Sequence, residues 1–222
     1  MSDARLVADE VSFGYTRGGP LIVEGWSAEF PAGSVSAISG PSGCGKSTRL
    51  YLLALMLRLR TGAVRLSGRR VDALPDAQRS GIRAEQFGFV FQDAALDPTR
   101  TVLANVLETA LYRGRDPRAL RGRAAELLTT MGVDVPPQRL PGQISGGQAQ
   151  RIALCRALVG SPSVVFADEP TGNLDPDTTD TVLDMLRHQA DQGAAVIVIT
   201  HDRRVAAWAD VRHTLAAPAG VS

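Results

Sequence analysis

Gly40-Pro41-Ser42-Gly43-Cys44-Gly45-Lys46-Ser47-Thr48 fits the pattern Gly-x-x-x-x-Gly-Lys-Ser/Thr, a loop whose backbone N–H groups cradle phosphates. Of the chain's 24 lysines and arginines, only Lys46 is a lysine; arginine fills every other basic position. A compact ammonium on a flexible stem can enter a narrow loop and sit between phosphates, which a planar guanidinium fork cannot do freely. The flanks give the loop its context. Ser34 to Ser39 is a short β-prone run that ends at the loop, and Ser47 to Arg60 is leucine-rich without breakers, which predicts a buried helix. A helix starting there supplies free N–H groups and a positive dipole end to bound phosphates.

Outward from the loop, Arg5 to Phe13 and Ala28 to Phe30 read as strands, Gly62 to Val71 as a hairpin, and Phe87 to Phe91 as a short buried strand ending at Gln92. The middle changes character. Thr101 to Tyr112, Asp116 to Met131 and Gln148 to Leu158 read as helices, divided by Gly114, Pro136-Pro137 and Pro141-Gly142. A helical insert over 93–159 between β-rich flanks is the natural division. Val164 to Ala167 and Ala195 to Thr200 are strand-like again, joined by a helix over Asp177 to Gln192, which makes a βαβ unit with a right-handed crossover. The tail from Ala216 to Ser222 reads as frayed.

Composition excludes several classes. The formal net charge of +1 gives no global field for nucleic acid or an anionic membrane. Arg58, Arg60, Arg65, Arg69 and Arg70 read as solvated faces. The 2 cysteines, Cys44 and Cys155, offer no disulfide framework and suggest reduced thiols in the cytosol. The start, Met-Ser-Asp-Ala-Arg, has no apolar signal core behind it. The most apolar runs, Tyr51 to Leu57 and Ala194 to Ile199, fall far short of the roughly 20 residues a membrane helix needs. Work at a membrane would therefore go through a partner.

The loop's complement is the apolar strand Val164-Val-Phe-Ala-Asp168-Glu169. A carboxylate at the end of a buried parallel strand is where Mg2+ coordination is expected in such a fold, with the Ser47 hydroxyl as a further ligand. Glu169, one position on, can face the γ-phosphate and take a proton from water. A third element is Ile144-Ser145-Gly146-Gly147-Gln148, ahead of an apparent amphipathic helix. Ser-Gly-Gly at a helix start makes an exposed cluster of N–H donors that can receive an anion.

With these residues the chain resembles the ATP-binding-cassette (ABC) ATPase family, whose signature is Leu-Ser-Gly-Gly-Gln; Ile144 stands where leucine is usual. The resemblance runs from Tyr15 to His201 with the motifs in family order. It implies an α/β fold: a P-loop NTPase core with a mixed, largely parallel sheet and flanking helices, an N-terminal antiparallel β portion and an inserted α-helical subdomain. One ABC ATPase domain would then span 1–222, with 1–92 and 160–222 as nucleotide-binding core and 93–159 as the helical subdomain carrying the signature. The resemblance further implies that Tyr15 stacks on adenine while Gly40, Pro41, Ser42, Gly43, Cys44, Gly45, Lys46, Ser47 and Thr48 bind ATP. Gln92 would touch Mg2+ and the attacking water, beside Ser47 and Asp168 as metal ligands. Glu169 and His201 would complete the catalytic set, Asp175 in Gly172-Asn-Leu-Asp175 would communicate between two ATP sites, and Ser145, Gly146, Gly147 and Gln148 would act on the partner copy's ATP.

The implied function is ATP hydrolysis powering separate transmembrane permease subunits, by a second ATPase subunit joined through ATP, at the cytoplasmic face of the inner or plasma membrane. A mechanotransmitting ATPase such as a cell-division regulator is the alternative. A chromosome-organising ATPase would need a long coiled coil, which the prolines and glycines between Thr48 and Ile144 prevent. A GTPase would need a second lysine to read guanine. Asp168-Glu-Pro-Thr-Gly-Asn-Leu-Asp175 is similar to the branch of macrolide exporters, lipoprotein-releasing complexes and the cell-division pair. Arg49, Ala104 and Ala149 depart from that branch's commonest pattern.

Overall fold

A computed structural model describes residues 4–172 and 174–216, so the expected fraying beyond Ala216 lies outside the described residues. Two sheets organise these residues. The first is antiparallel, in the order β2 (Val23–Pro31), β1 (Ala4–Phe13), β4 (Thr61–Leu66), β5 (Arg69–Arg70). β4 turns into β5 through Ser67 and Gly68 at φ 48° and 80°, the paired left-handed residues of a tight hairpin. β1 is bulged: the register with β2 shifts between Ala8 and Val11, around Glu10 at φ 48°.

The second sheet runs β6 (Phe87–Val90), β7 (Val164–Asp168), β8 (Ala195–Ile199), β3 (Ser34–Ser39), β9 (Val211–Thr214), all paired parallel. β7 and β8 are buried at every position, as strands covered on both faces must be. Alternation sends Val164, Phe166, Ile197 and Ile199 into one hydrophobic cluster with the antiparallel sheet and α1 (Lys46–Leu53). Val165, Ala167, Val196 and Val198 enter a second cluster with the helices of the opposite layer. Those helices are α3 (Val102–Val106), α5 (Arg121–Thr130), α6 (Gly146–Leu158), α7 (Pro176–Asp191) and α8 (Arg203–Trp208).

Several sequence expectations shift. The helix expected to Arg60 stops at Leu53, because Leu55 turns into the left-handed region at φ 59° and the chain folds back. The guanidinium groups of Arg79 and Arg83, on α2 (Asp76–Gln86), hold the carbonyl of Leu55 at that turn. The helix expected over Thr101 to Tyr112 divides at Leu107 into α3 and α4 (Glu108–Tyr112). The helix after the signature is buried along most of its length from Gln150 to Leu158 rather than amphipathic, since α3, α5 and β6 enclose it. α2, α8 and β9 stand where the sequence pattern predicts no element.

Candidate active site

The phosphate loop joins β3 to α1 in the manner the motif requires. Gly45 serves as the N-cap of α1 at φ 81°, with no side-chain cap and no acidic residue in the first turn. The first N–H groups of the helix are therefore open to an external anion. The loop is glycine-dependent at its narrowest points. A Cβ on Gly40 would stand 2.9 Å from both Cys44 Sγ and the Leu215 carbonyl, and one on Gly45 would stand 3.1 Å from Ile22 Cγ2. Lys46 folds back over the loop and donates from Nζ to the carbonyls of Gly40 at 2.8 Å and Pro41 at 2.9 Å.

A cleft of about 390 Å³ opens beside it, lined by Ser42, Gly43, Gly45, Lys46, Ser47, Thr48, Gln92, Asp168 and Glu169, with Ile22 and Ile199 as apolar walls. The cleft sits at the carboxyl ends of the parallel strands, where open α/β sheets bind ligands. Tyr15 is 64% exposed, its hydroxyl 3.4 Å from Oγ1 of the cleft residue Thr48 and its ring in a T-shaped pair with Phe13 at 5.0 Å. The exposed ring is accessible to a planar partner.

Asp168 ends β7 only 8% exposed. Burial raises its carboxyl above the usual carboxylate range; a hydrogen bond from Ser47 and the charge of Lys46 oppose the rise, and the charge of Glu169 adds to it. A buried carboxylate joined to a hydroxyl is a donor set that a hard cation fits. No cluster of three or more His, Cys, Asp or Glu able to hold a metal occurs among the described residues.

Glu169 follows in the left-handed region at φ 48°, held there by its N–H donating to the Ile199 carbonyl at 2.9 Å. That turn swings the carboxylate out of the sheet. Its Oε1 accepts from the His201 backbone N–H at 3.0 Å and from His201 Nδ1–H at 2.7 Å. A left-handed glutamate is strained backbone, and such strain gathers at working sites. The ends of β7 and β8 thus bring Asp168, Glu169 and His201 together across 32 residues of sequence between Glu169 and His201.

The other expected residues lie elsewhere. Ser145 and Gln148 cap α6 reciprocally: Ser145 Oγ accepts from Gln148 N–H at 3.2 Å, and Gln148 Oε1 from Ser145 N–H at 2.9 Å. Ser145 and Gly146 are exposed, and none of the four signature residues lines the cleft. Asp175 caps α7, accepting from Thr178 N–H at 2.9 Å and Thr178 Oγ1 at 2.7 Å. Its neighbour Leu174 approaches the signature, since a Cβ on Gly147 would stand 3.8 Å from Leu174 Cδ2.

Two arginine braces flank the cleft without a signal in the sequence. Arg49 Nη1 donates to the Cys44 carbonyl at 2.8 Å, and its guanidinium lies over Trp26 at 5.4 Å. Arg60, read as part of a solvated face, donates to the carbonyls of Thr16 at 2.7 Å and Gly19 at 3.1 Å, fixing the loop that carries Tyr15. The Arg60 contacts span 41 and 44 residues, and a long-range contact between a side chain and a backbone carbonyl leaves no sequence pattern.

A lysine-bearing phosphate loop, paired carboxylates at the end of the neighbouring strand and a sheet ordered β6-β7-β8-β3-β9 define a P-loop nucleoside triphosphatase. The chain belongs to the ABC transporter family, whose family model matches residues 23–172, and it is an ATP-binding ATPase subunit of that family. It is similar to "Lipoprotein-releasing system ATP-binding protein LolD 1" of Rhodopirellula baltica, 41% identical over 90% of this chain and 89% of the relative. It is also similar to "Macrolide export ATP-binding/permease protein MacB 1/2" of Paracoccus denitrificans, 43% identical over 80% of this chain and 26% of that longer protein. Among solved structures it resembles the dimeric ABC transporter cassette MJ0796, with a TM-score of 0.86 and 30% identity over 95% of this chain and 94% of that one. A further structure of MJ0796, a post-hydrolysis state bound to ADP and Pi, gives a TM-score of 0.85 over 95% of this chain and 94% of that one, at 30% identity.

Proposed function

We propose that this ATPase powers a separate transmembrane permease of the extrusion type, working as an ATP-joined pair at the cytoplasmic face of the membrane. The observation that carries the reading is the meeting of Glu169 and His201 beside Lys46, Ser47 and Asp168. ATP enters with its phosphates over the α1 N-terminus and its adenine against Tyr15. Lys46 leaves the carbonyls of Gly40 and Pro41 for the β- and γ-phosphates. Ser47, Asp168 and Gln92 are the residues that would hold Mg2+, which supplies charge neutralisation at the phosphate oxygens. Glu169 orients a water and takes its proton, while His201 steadies that carboxylate through Nδ1–H.

The exposed Ser145-Gly146-Gly147 turn reaches a second copy's ATP rather than its own, in keeping with its place away from the cleft. The resemblance to the dimeric MJ0796 cassette supports this pairing. Asp175, next to Leu174, would report one site's state to the other. For the permease, a groove of about 660 Å³ opens near Gln92, lined by Phe89, Phe91, Met56, Tyr112 and Glu108. Its mostly apolar wall suits a short helix of a membrane partner, and residues 93–159 would act as the moving helical subdomain. No helix among the described residues is long and apolar enough to cross a membrane. The similarity to the lipoprotein-releasing protein over most of both chains supports extrusion as the direction of work.

Glu169→Gln tests the reading. The variant should bind ATP, lose ~10²- to 10⁴-fold in turnover and accumulate an ATP-held dimer on size-exclusion chromatography. Turnover near wild type would remove Glu169 from the role of base.

A further inference from the structure

The signature helix α6 carries two buried polar side chains that both hold the segment around Gln92. Gln150, 8% exposed, donates from Nε2 to the Phe91 carbonyl at 3.1 Å. Arg156, 9% exposed, donates from Nη1 to the Ala95 carbonyl at 2.7 Å and from Nη2 to the Ala94 carbonyl at 2.9 Å. These three bonds bracket Gln92 and Asp93. They also hold Ala95 at φ 48°, a left-handed conformation that alanine adopts only when its surroundings impose it.

Neither residue touches the nucleotide cleft, and a helix core alone does not need them. Two consecutive carbonyls call for a planar fork, which only a guanidinium presents. Phe91, Ala95 and Arg156 also line the groove beside Gln92. Signature helix, Gln92 segment and groove wall are therefore one connected piece.

We propose that Gln150 and Arg156 are positioning residues that latch the Phe91–Ala95 segment to α6, so that engagement of the signature turn by the other copy's ATP sets where Gln92 stands in this copy's cleft. The proposal rests on the paired-ATPase reading above. It makes Gln92 in one site answer to the nucleotide in the other, through side chains of a single helix.

The test is steady-state ATPase of the full chain for Gln150→Leu, Arg156→Lys, Gln92→Ala and the Gln150→Leu/Gln92→Ala pair. Nucleotide affinity is read separately with a fluorescent ATP analogue. kcat should fall ~10-fold in each latch variant while the analogue's Kd stays within ~2-fold of wild type. In the Gln92→Ala background, Gln150→Leu should remove less than ~1.5-fold more, because both act through one group. Losses that multiply in the pair, a Kd that weakens in step with kcat, or unchanged kcat in both latch variants would overturn the latch. If Arg156→Lys no longer melts as a folded protein, Gln150→Leu, which removes one neutral hydrogen bond, decides alone. Glu169→Gln runs alongside. Continued hydrolysis by that variant sinks the functional reading, whereas a stalled Glu169→Gln with multiplying Gln150 and Gln92 losses sinks the latch only.

Discussion

The phosphate cleft and the loops that frame it use their cations in opposite ways. In the cleft, Lys46 rests on the carbonyls of Gly40 and Pro41, contacts it would give up for the phosphates in the proposed function. Around the cleft, arginines grip pairs of carbonyls with both terminal nitrogens: Arg60 those of Thr16 and Gly19, Arg156 those of Ala94 and Ala95 beside Gln92. A round ammonium with three rotatable donors exchanges partners without re-aiming its whole side chain. A planar fork with fixed donor directions holds two acceptors at once and resists exchange. The single lysine in a chain otherwise supplied with arginine thus stands where the proposed function calls for an exchange of partners.

The sharpest way to break that contrast is Lys46→Arg, which keeps the charge. The guanidinium should remain on the loop's carbonyls or clash with the entering phosphates, and kcat/KM should fall by ~100-fold or more. Normal ATPase activity in this variant would mean that the cation's shape is irrelevant and that the lone lysine reflects composition only. His201→Ala is expected next in size. Glu169 would lose both its Nδ1–H donor and its orientation, lowering kcat by ~10- to 100-fold with KM little changed. The backbone N–H of residue 201 would still bond Oε1, which is why the loss should be smaller than that of Glu169→Gln. An unaffected kcat would remove His201 from the site.

The cleft was legible in the sequence because its chemistry is local. Gly40 to Thr48 is one continuous loop, and Asp168-Glu169 ends one apolar strand whose partner strand ends just before His201. The central parallel strands β7 and β8 were legible for the same reason, as unbroken apolar runs, whereas the partly exposed β9 was not. The framing was not. Nothing near Arg60 marks it as a partner of Thr16, which is 44 residues away, and nothing near Arg156 points to Ala94, 62 residues away. The early end of α1 was hidden too. Leucines continue through Leu59, and the stop comes from Leu55 turning left-handed against Arg79 and Arg83 of a helix that follows later in the chain. Reading α6 as amphipathic missed the mark because Arg151 and Arg156 look like surface residues in sequence, whereas Arg156 is buried on carbonyls.

Arg60→Lys gives the smallest expected effect and the finest test of the contrast. Arg60 touches no ligand group; it holds the Tyr15 loop at Thr16 and Gly19, and its own backbone N–H bonds the Ser12 carbonyl at 2.8 Å. A lysine keeps the positive charge but reaches one of the two side-chain acceptors, so the loop should drift while the phosphate loop stays in place. The KM for ATP should rise ~3-fold through weaker adenine stacking, with kcat unchanged. Inorganic tripolyphosphate, which lacks a base, serves as the control competitor. Its inhibition constant should match wild type, because in the proposed function its contacts would be confined to Gly40–Thr48 and the residues that would hold Mg2+. If tripolyphosphate binding weakens as much as ATP binding, Arg60 acts on the phosphate loop and its grip on the Tyr15 loop is incidental. If neither weakens, one donor is enough at this brace, and the distinction between fork and point charge holds only inside the cleft.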